Sequence, residues 1–228
     1  MWWRRALGVA FAHWRRAALP LVPAASRTSQ AGAGGCWSCG EAVSAGARFC
    51  PSCRALQPPE PSPDLFALLG CERRFEVDAA ELRRRFRSLQ QALHPDGFAS
   101  SSPQAERRLS EQHAALLNEA YETLRSPLRR GLYLLKLKGL ELAPGADAEA
   151  EPGFLSEIME ISERLVEANS NTELEEMETF LAAKQRQLTK DVTEAFDQGN
   201  FQEAKKLLAK MKYFANLEES LKKKKIPR

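Results

Sequence analysis

Leu82, Phe86, Leu89 and Leu93 recur at steps of four, three and four, which places them on one stripe of a helix. Arg83, Arg84, Arg85 and Arg87 fall on the exposed remainder. Asp78-Ala79-Ala80-Glu81 reads as a capping-box-like opening. The helix must end by His94, because Pro95 pushes the residue before it out of the helical region. A short apolar start, Asp64 to Leu69, precedes this element. After it, Ser100-Ser101-Ser102-Pro103 offers the next helix start, with Pro103 suited to the first turn. Leu109, Leu116, Ala120, Tyr121 and Leu124 line that helix, with His113 near the same face. Ser126-Pro127 interrupts the pattern, and apolar character resumes through Arg129 to Leu135.

Three further helical patterns follow a Pro/Gly/Ala-rich break at 143–153. The first carries Leu155, Ile158, Met159, Ile161, Leu165 and Val166. The second carries Leu174, Met177, Leu181, Leu188, Val192 and Phe196, and Thr172 with Glu175 reads as its capping box. The third carries Phe201, Ala204, Leu207, Leu208, Met211, Phe214, Leu217 and Leu221, opened by Asn200 after Gly199. Short connections favour antiparallel neighbours. The expected fold is all-α: a helical hairpin, then a C-terminal three-helix bundle.

Composition is that of a globular chain of 228 residues, and no run approaches the ~20 apolar residues of a membrane span. Net charge is only +3 but uneven. Residues 1–40 hold five arginines and no acid; 154–178 hold eight glutamates against Arg164 alone; the last 24 residues hold nine Lys/Arg against two acids. On a helical wheel Arg4, Arg5, Arg15 and Arg16 gather in one sector, with Trp3, Leu7, Ala10, Phe11, Trp14 and Ala18 opposite. An Arg-rich, acid-free amphipathic helix is what mitochondrial import uses, so residues 1–27 read as a presequence and the matrix as the destination. A secretory signal is the alternative, but Arg15-Arg16 follow its short apolar core too soon. The Lys222–Lys225 run reads as a solvated helix end whose charge suits the dipole.

Cys36-Trp37-Ser38-Cys39 and Cys50-Pro51-Ser52-Cys53 are separated by ten residues. Two such hooks can supply four thiolates to one tetrahedral ion, which leaves no open position for catalysis. One structural Zn2+ per chain is the expected cofactor, on Cys36, Cys39, Cys50 and Cys53. Two redox dithiols or an iron–sulfur ligand set would use the same residues. Residues 34–56 form this module, and 57–63, with four prolines, form an extended linker.

The tripeptide His94-Pro95-Asp96 lies between a basic helix and Asn118-Glu119-Ala120-Tyr121-Glu122-Thr123-Leu124. Two helices joined by such a loop, with a short apolar helix before them, resemble a J domain over residues 64–138. By that resemblance His94, Pro95 and Asp96 engage a DnaK-type chaperone ATPase, and Arg83, Arg84 and Arg87 supply a steering positive face. The arginines would otherwise be an ordinary solvated helix face. No nucleophile, oxyanion donor or phosphate loop accompanies His94 and Asp96, so the chain is not read as an enzyme. The Gly/Phe-rich stretch of general J proteins is absent, which points to a dedicated client.

Together with Arg130-Gly131-Leu132-Tyr133-Leu134-Leu135, Phe154-Leu155-Ser156-Glu157-Ile158-Met159-Glu160 and Lys212-Tyr213-Phe214-Ala215-Asn216-Leu217, these features resemble the HscB family of iron–sulfur cluster co-chaperones. The resemblance implies an ISCU-type scaffold bound by residues 152–228 and delivered to a mitochondrial DnaK-type chaperone. It places scaffold contacts at Leu155, Met159, Glu160, Glu163, Glu167 and Phe214. An apolar stripe rimmed by acids suits such a partner; bundle core with a solvated acidic face is the plainer reading. The expected chain is a monomer or weak dimer without nucleic-acid or membrane partners. A zinc-dependent nucleic-acid or assembly adaptor is the alternative, marked by salt-sensitive RNA or DNA binding.

Overall fold

Five helices start where a side chain, that of Asp64, Asp78, Ser126, Ser170 or Asn200, accepts from a free first-turn amide. The computed structural model describes residues 35–93, 104–140 and 152–225, all within one unit spanning Gly34–Arg228. They form α1 (Leu65–Leu68), α2 (Ala79–Leu93), α3 (Gln104–Arg125), α4 (Pro127–Leu137), α5 (Pro152–Glu167), α6 (Asn171–Asp197) and α7 (Phe201–Lys225). Among the described residues there is no strand, only two isolated bridges, Gly35 to Ala42 and Phe49 to Leu56. The fold is all-α, as expected.

Asp64 caps α1 through the Phe66 amide, and Ser126 caps α4 with Pro127 at its first position. Asp78 caps α2 through the Ala80 and Glu81 amides, but Glu81 turns away to Arg84 and Arg85, so the reciprocal half of a box is not made. The box of α6 is built by Ser170 and Glu173, not Thr172 and Glu175. Both pairs share the spacing. Ser170 wins because it is the extended residue whose hydroxyl meets the Glu173 amide.

The hairpin of α2 and α3 closes on Leu82, Phe86, Leu89 and Leu93, with the Phe86 and Tyr121 rings stacked at 4.2 Å. On α3 the buried row is His113, Leu117, Ala120 and Leu124. Leu117 takes the place expected for Leu116, because it keeps the four–three–four step from His113 to Leu124. Ser110 Oγ donates to the Leu93 carbonyl at 2.7 Å, tying α3 to the end of α2. The segments 1–34 and 94–103, which hold the leader, the tripeptide and the Ser100–Pro103 start, lie outside the described residues.

In the C-terminal bundle α6 runs antiparallel to α7: the turn Gln198-Gly199-Asn200 joins them, and Lys225 pairs with Glu178 at their far ends. Gly199 adopts φ +68°, a turn conformation open to glycine at little cost. Helix α5 lies along the second half of α7, with Phe154 against Tyr213 and Phe214, and Leu165 and Val166 near Lys224. The first half of α7 packs on α4 instead. Phe75, Arg130, Gly131, Phe196 and Leu208 meet there. The residues of the hairpin and the bundle therefore share one core.

Candidate functional site

The cysteine module is a repeated knuckle. In each half the amide after the second cysteine returns to the first carbonyl: Gly40 to Cys36 at 2.8 Å, Arg54 to Cys50 at 3.0 Å. Cys36 then donates to Glu41, and Cys50 to Ala55, closing each hook. The turn needs a left-handed residue. Gly40 supplies φ +79° freely, whereas Arg54 takes φ +64°, at a cost of about 1–2 kcal/mol for an L residue.

These turns bring all four Sγ atoms within 4.8 Å of one another. Cys36 and Cys53 lie 3.6 Å apart, Cys39 and Cys50 3.7 Å. A tetrahedron of sulfurs ~2.3 Å from a central zinc has edges of about 3.8 Å, so the set fits such an ion. Burial works against ionising Cys36, but hydrogen bonds from the Cys39 and Ser38 amides, Gln57 and Cys53 outweigh it and bring the thiol down to about 6. The Glu41 amide lowers Cys39, yet the neighbouring thiols of Cys53, Cys50 and Cys36, together with burial, push it up to about 12. Thiols this close resist joint ionisation; a cation removes that conflict.

The module docks on the hairpin. Leu56 is wholly buried in the main core. Its amide donates to Glu106 Oε1 on α3 at 3.2 Å, and its carbonyl accepts from Trp37 Nε1 at 2.6 Å. Gln57 Nε2 donates to Cys36 Sγ at 3.2 Å, while the Gln57 carbonyl accepts from His113 Nε2 at 2.8 Å. Gln57, the first residue of the expected linker, is a buried clamp, and the residues after it run free of the core. Arg48 Nη2 donates to the Leu68 carbonyl at the end of α1. Burial pulls the His113 imidazole down, which favours the neutral ring whose Nε2–H makes that bond.

On α2, Arg83, Arg84 and Arg87 are all exposed. Arg84 is held by Glu81 at 2.7 Å, and Arg85 shares that carboxylate at 2.6 Å. Arg83 and Arg87 enter no ion pair among the described residues. His94, Pro95 and Asp96 lie outside those residues.

Helix α5 carries two apolar stripes. Phe154, Ile158, Ile161 and Leu165 face the core, followed by Ala168 just past the helix end. The other holds half-buried Leu155, then Met159 at 64% exposure and Val166 at 73%. Glu160, Glu163 and Glu167 stand exposed beside it. Val166 was legible only as another apolar residue of the helix; the third dimension shows it outside the core stripe. Phe214, expected on this face, is corrected to core. It is 2% exposed and meets Phe154 edge-on at 6.1 Å, because α5 and α7 close over it.

The basic C-terminal run is largely engaged at home. Lys224 Nζ donates to the Leu165 and Val166 carbonyls, capping α5. Lys223 pairs with Glu219 and Lys225 with Glu178. No helix of the described residues is long and apolar enough to cross a membrane.

A family model described as the HSCB C-terminal oligomerisation domain matches residues 150–222. The chain is 50% identical over 195 residues to the iron–sulfur cluster co-chaperone protein HscB of Mus musculus, covering 84% of this chain and 83% of the mouse one. The same protein of Homo sapiens gives the same identity and coverage. The crystal structure of the human co-chaperone HscB aligns with a TM-score of 0.79 and 49% identity, over 85% of this chain and 100% of that one.

Proposed function

Because this chain belongs to the HscB family of iron–sulfur cluster co-chaperones, we propose that it binds an ISCU-type scaffold and delivers it to a DnaK-type chaperone of the mitochondrial matrix. It stimulates that chaperone's ATP hydrolysis to promote cluster transfer and performs no bond chemistry itself. The observation that carries the reading is the second apolar stripe of α5. Met159 and Val166 stay exposed on a helix whose core stripe is already buried, and glutamates rim them. Apolar side chains in water beside fixed negative charge suit a partner with apolar anchors and basic neighbours.

The roles divide along the chain. Residues 1–27 act as the import leader. Cys36, Cys39, Cys50 and Cys53 hold one structural zinc, whose chemistry is to fix the module rather than to react. Residues 64–138 address the chaperone through His94, Pro95 and Asp96, with Arg83, Arg84 and Arg87 steering the encounter. Residues 152–228 hold the scaffold through Leu155, Met159, Glu160, Glu163 and Glu167, while Phe214 seats α5 from beneath.

A steady-state ATPase assay of the mitochondrial DnaK-type chaperone tests this. The expected result is stimulation by this protein that rises further when scaffold is added. His94→Gln should abolish stimulation and leave scaffold binding intact. Stimulation indifferent to scaffold would sink the dedicated-client reading.

A further inference from the structure

Two adjacent residues, Leu56 and Gln57, each have one end on the cysteine module and the other on α3. The Leu56 carbonyl holds Trp37 of the first knuckle, and its amide holds Glu106. The Gln57 side chain holds Cys36 Sγ, and its carbonyl holds His113. Among the described residues that bond is the single one recorded for the buried His113 ring, since Nδ1 has no partner. The sulfurs and the first half of α3 are therefore separated by one residue rather than by a linker.

We propose that metal occupancy of the cysteine quartet and the stability of the first half of α3 are thermodynamically linked through Leu56 and Gln57. The inference rests on reading the quartet as a metal site. A metal-bound thiolate is a charged acceptor for the Ser38 amide and the Gln57 amide group, at 3.4 and 3.2 Å. Such charge-assisted bonds are about twice as strong as neutral ones. Without the ion nothing ties the four sulfurs to one centre, so Cys36 Sγ is no longer fixed where the Gln57 amide group meets it. Gln57 then keeps only the Ala55 carbonyl at 2.8 Å for its buried amide group. As that side chain loosens, its backbone carbonyl is no longer fixed against His113. The imidazole loses its bond while buried, and an unmade bond of this kind is costly. Occupancy of the knuckles thus sets how firmly the hairpin that bears the chaperone-addressing loop is held together.

Linkage is reciprocal: what zinc does to α3, a change on α3 must do to zinc. The test uses the full chain with zinc alone as probe. Zinc affinity is measured by competition with a chromogenic chelator, and amide exchange across 104–117 is followed with and without zinc. Removing zinc should speed exchange there by about fivefold or more, the lower end for coupled sites. His113→Leu, distant from the sulfurs, should weaken zinc binding by a comparable factor. Glu106→Ala, which leaves the buried ring in place, should do so as well and guards against a misfolded first variant. A chain that takes up no zinc overturns both the metal reading and the linkage. A chain that takes up zinc, with α3 exchange and variant affinities unmoved, overturns the linkage alone.

Discussion

Gly131 lies where α4 crosses α7, and a Cβ there would meet Leu208 Cδ2 at 2.5 Å, Leu208 Cδ1 at 2.9 Å and the Phe75 ring at 3.1 Å. Leu208 is wholly buried, so its methyl groups could shift only against packed neighbours. Gly131→Ala should therefore destabilise by about 1–3 kcal/mol, seen as a lower urea midpoint with unchanged slope. Read along the chain, this glycine is merely a poor helix former; only the helix crossing gives it a reason. Phe214 and Val166 teach the same lesson in opposite directions, since each sits in an apolar helical pattern and one is core while the other is exposed. Phe214→Ala should cost about 3–5 kcal/mol in thermal or chemical denaturation. Met159→Ala and Val166→Ala should each stay within about 0.5 kcal/mol in stability. Calorimetric titration with scaffold should show weaker binding for both; an unchanged affinity would misplace the client face.

At the scale of elements, caps and ion pairs set the boundaries. Ser170→Ala removes one half of the α6 capping box and should cost about 1 kcal/mol, with faster exchange confined to the first turn of α6. Thr172→Ala, in the other pair with the same spacing, should have little effect. On α2, hydrogen bonds from Arg84 and Arg85 hold the Glu81 carboxyl down at about 2. Its folded value lies below that of the unfolded chain, about 4.3. Its contribution is thus present above about pH 5 and lost as pH falls toward 2. A carboxyl titration by NMR should place the Glu81 midpoint near 2, and near the ordinary value in the double variant Arg84→Gln, Arg85→Gln. The helices themselves were legible because three–four periodicity survives in a single sequence. The exact caps were not, because several Ser/Thr and Glu pairs share the required spacing.

For the whole molecule, the junction around Phe75 decides whether hairpin and bundle behave as one body. Phe75 stacks on Phe196 at 5.3 Å, and the buried Arg130 guanidinium lies over the Phe75 ring, 5.1 Å from its centre. The wild-type protein should unfold in one transition by probes in either half. Phe75→Ala should cost about 3–5 kcal/mol and split the transition, which fluorescence and amide exchange would resolve. The helices, the four-cysteine donor set and the family resemblance were legible along the chain, since periodicity, ligand spacing and short motifs are local and need no partner to be read. Only the closed chain shows which apolar stripe of α5 is buried, that Arg130 and Gly131 both meet Phe75, and that Gln57 ties a cysteine knuckle to α3. Those depend on which surfaces meet, and burial and hydrogen bonding between distant segments are fixed only when the chain closes on itself.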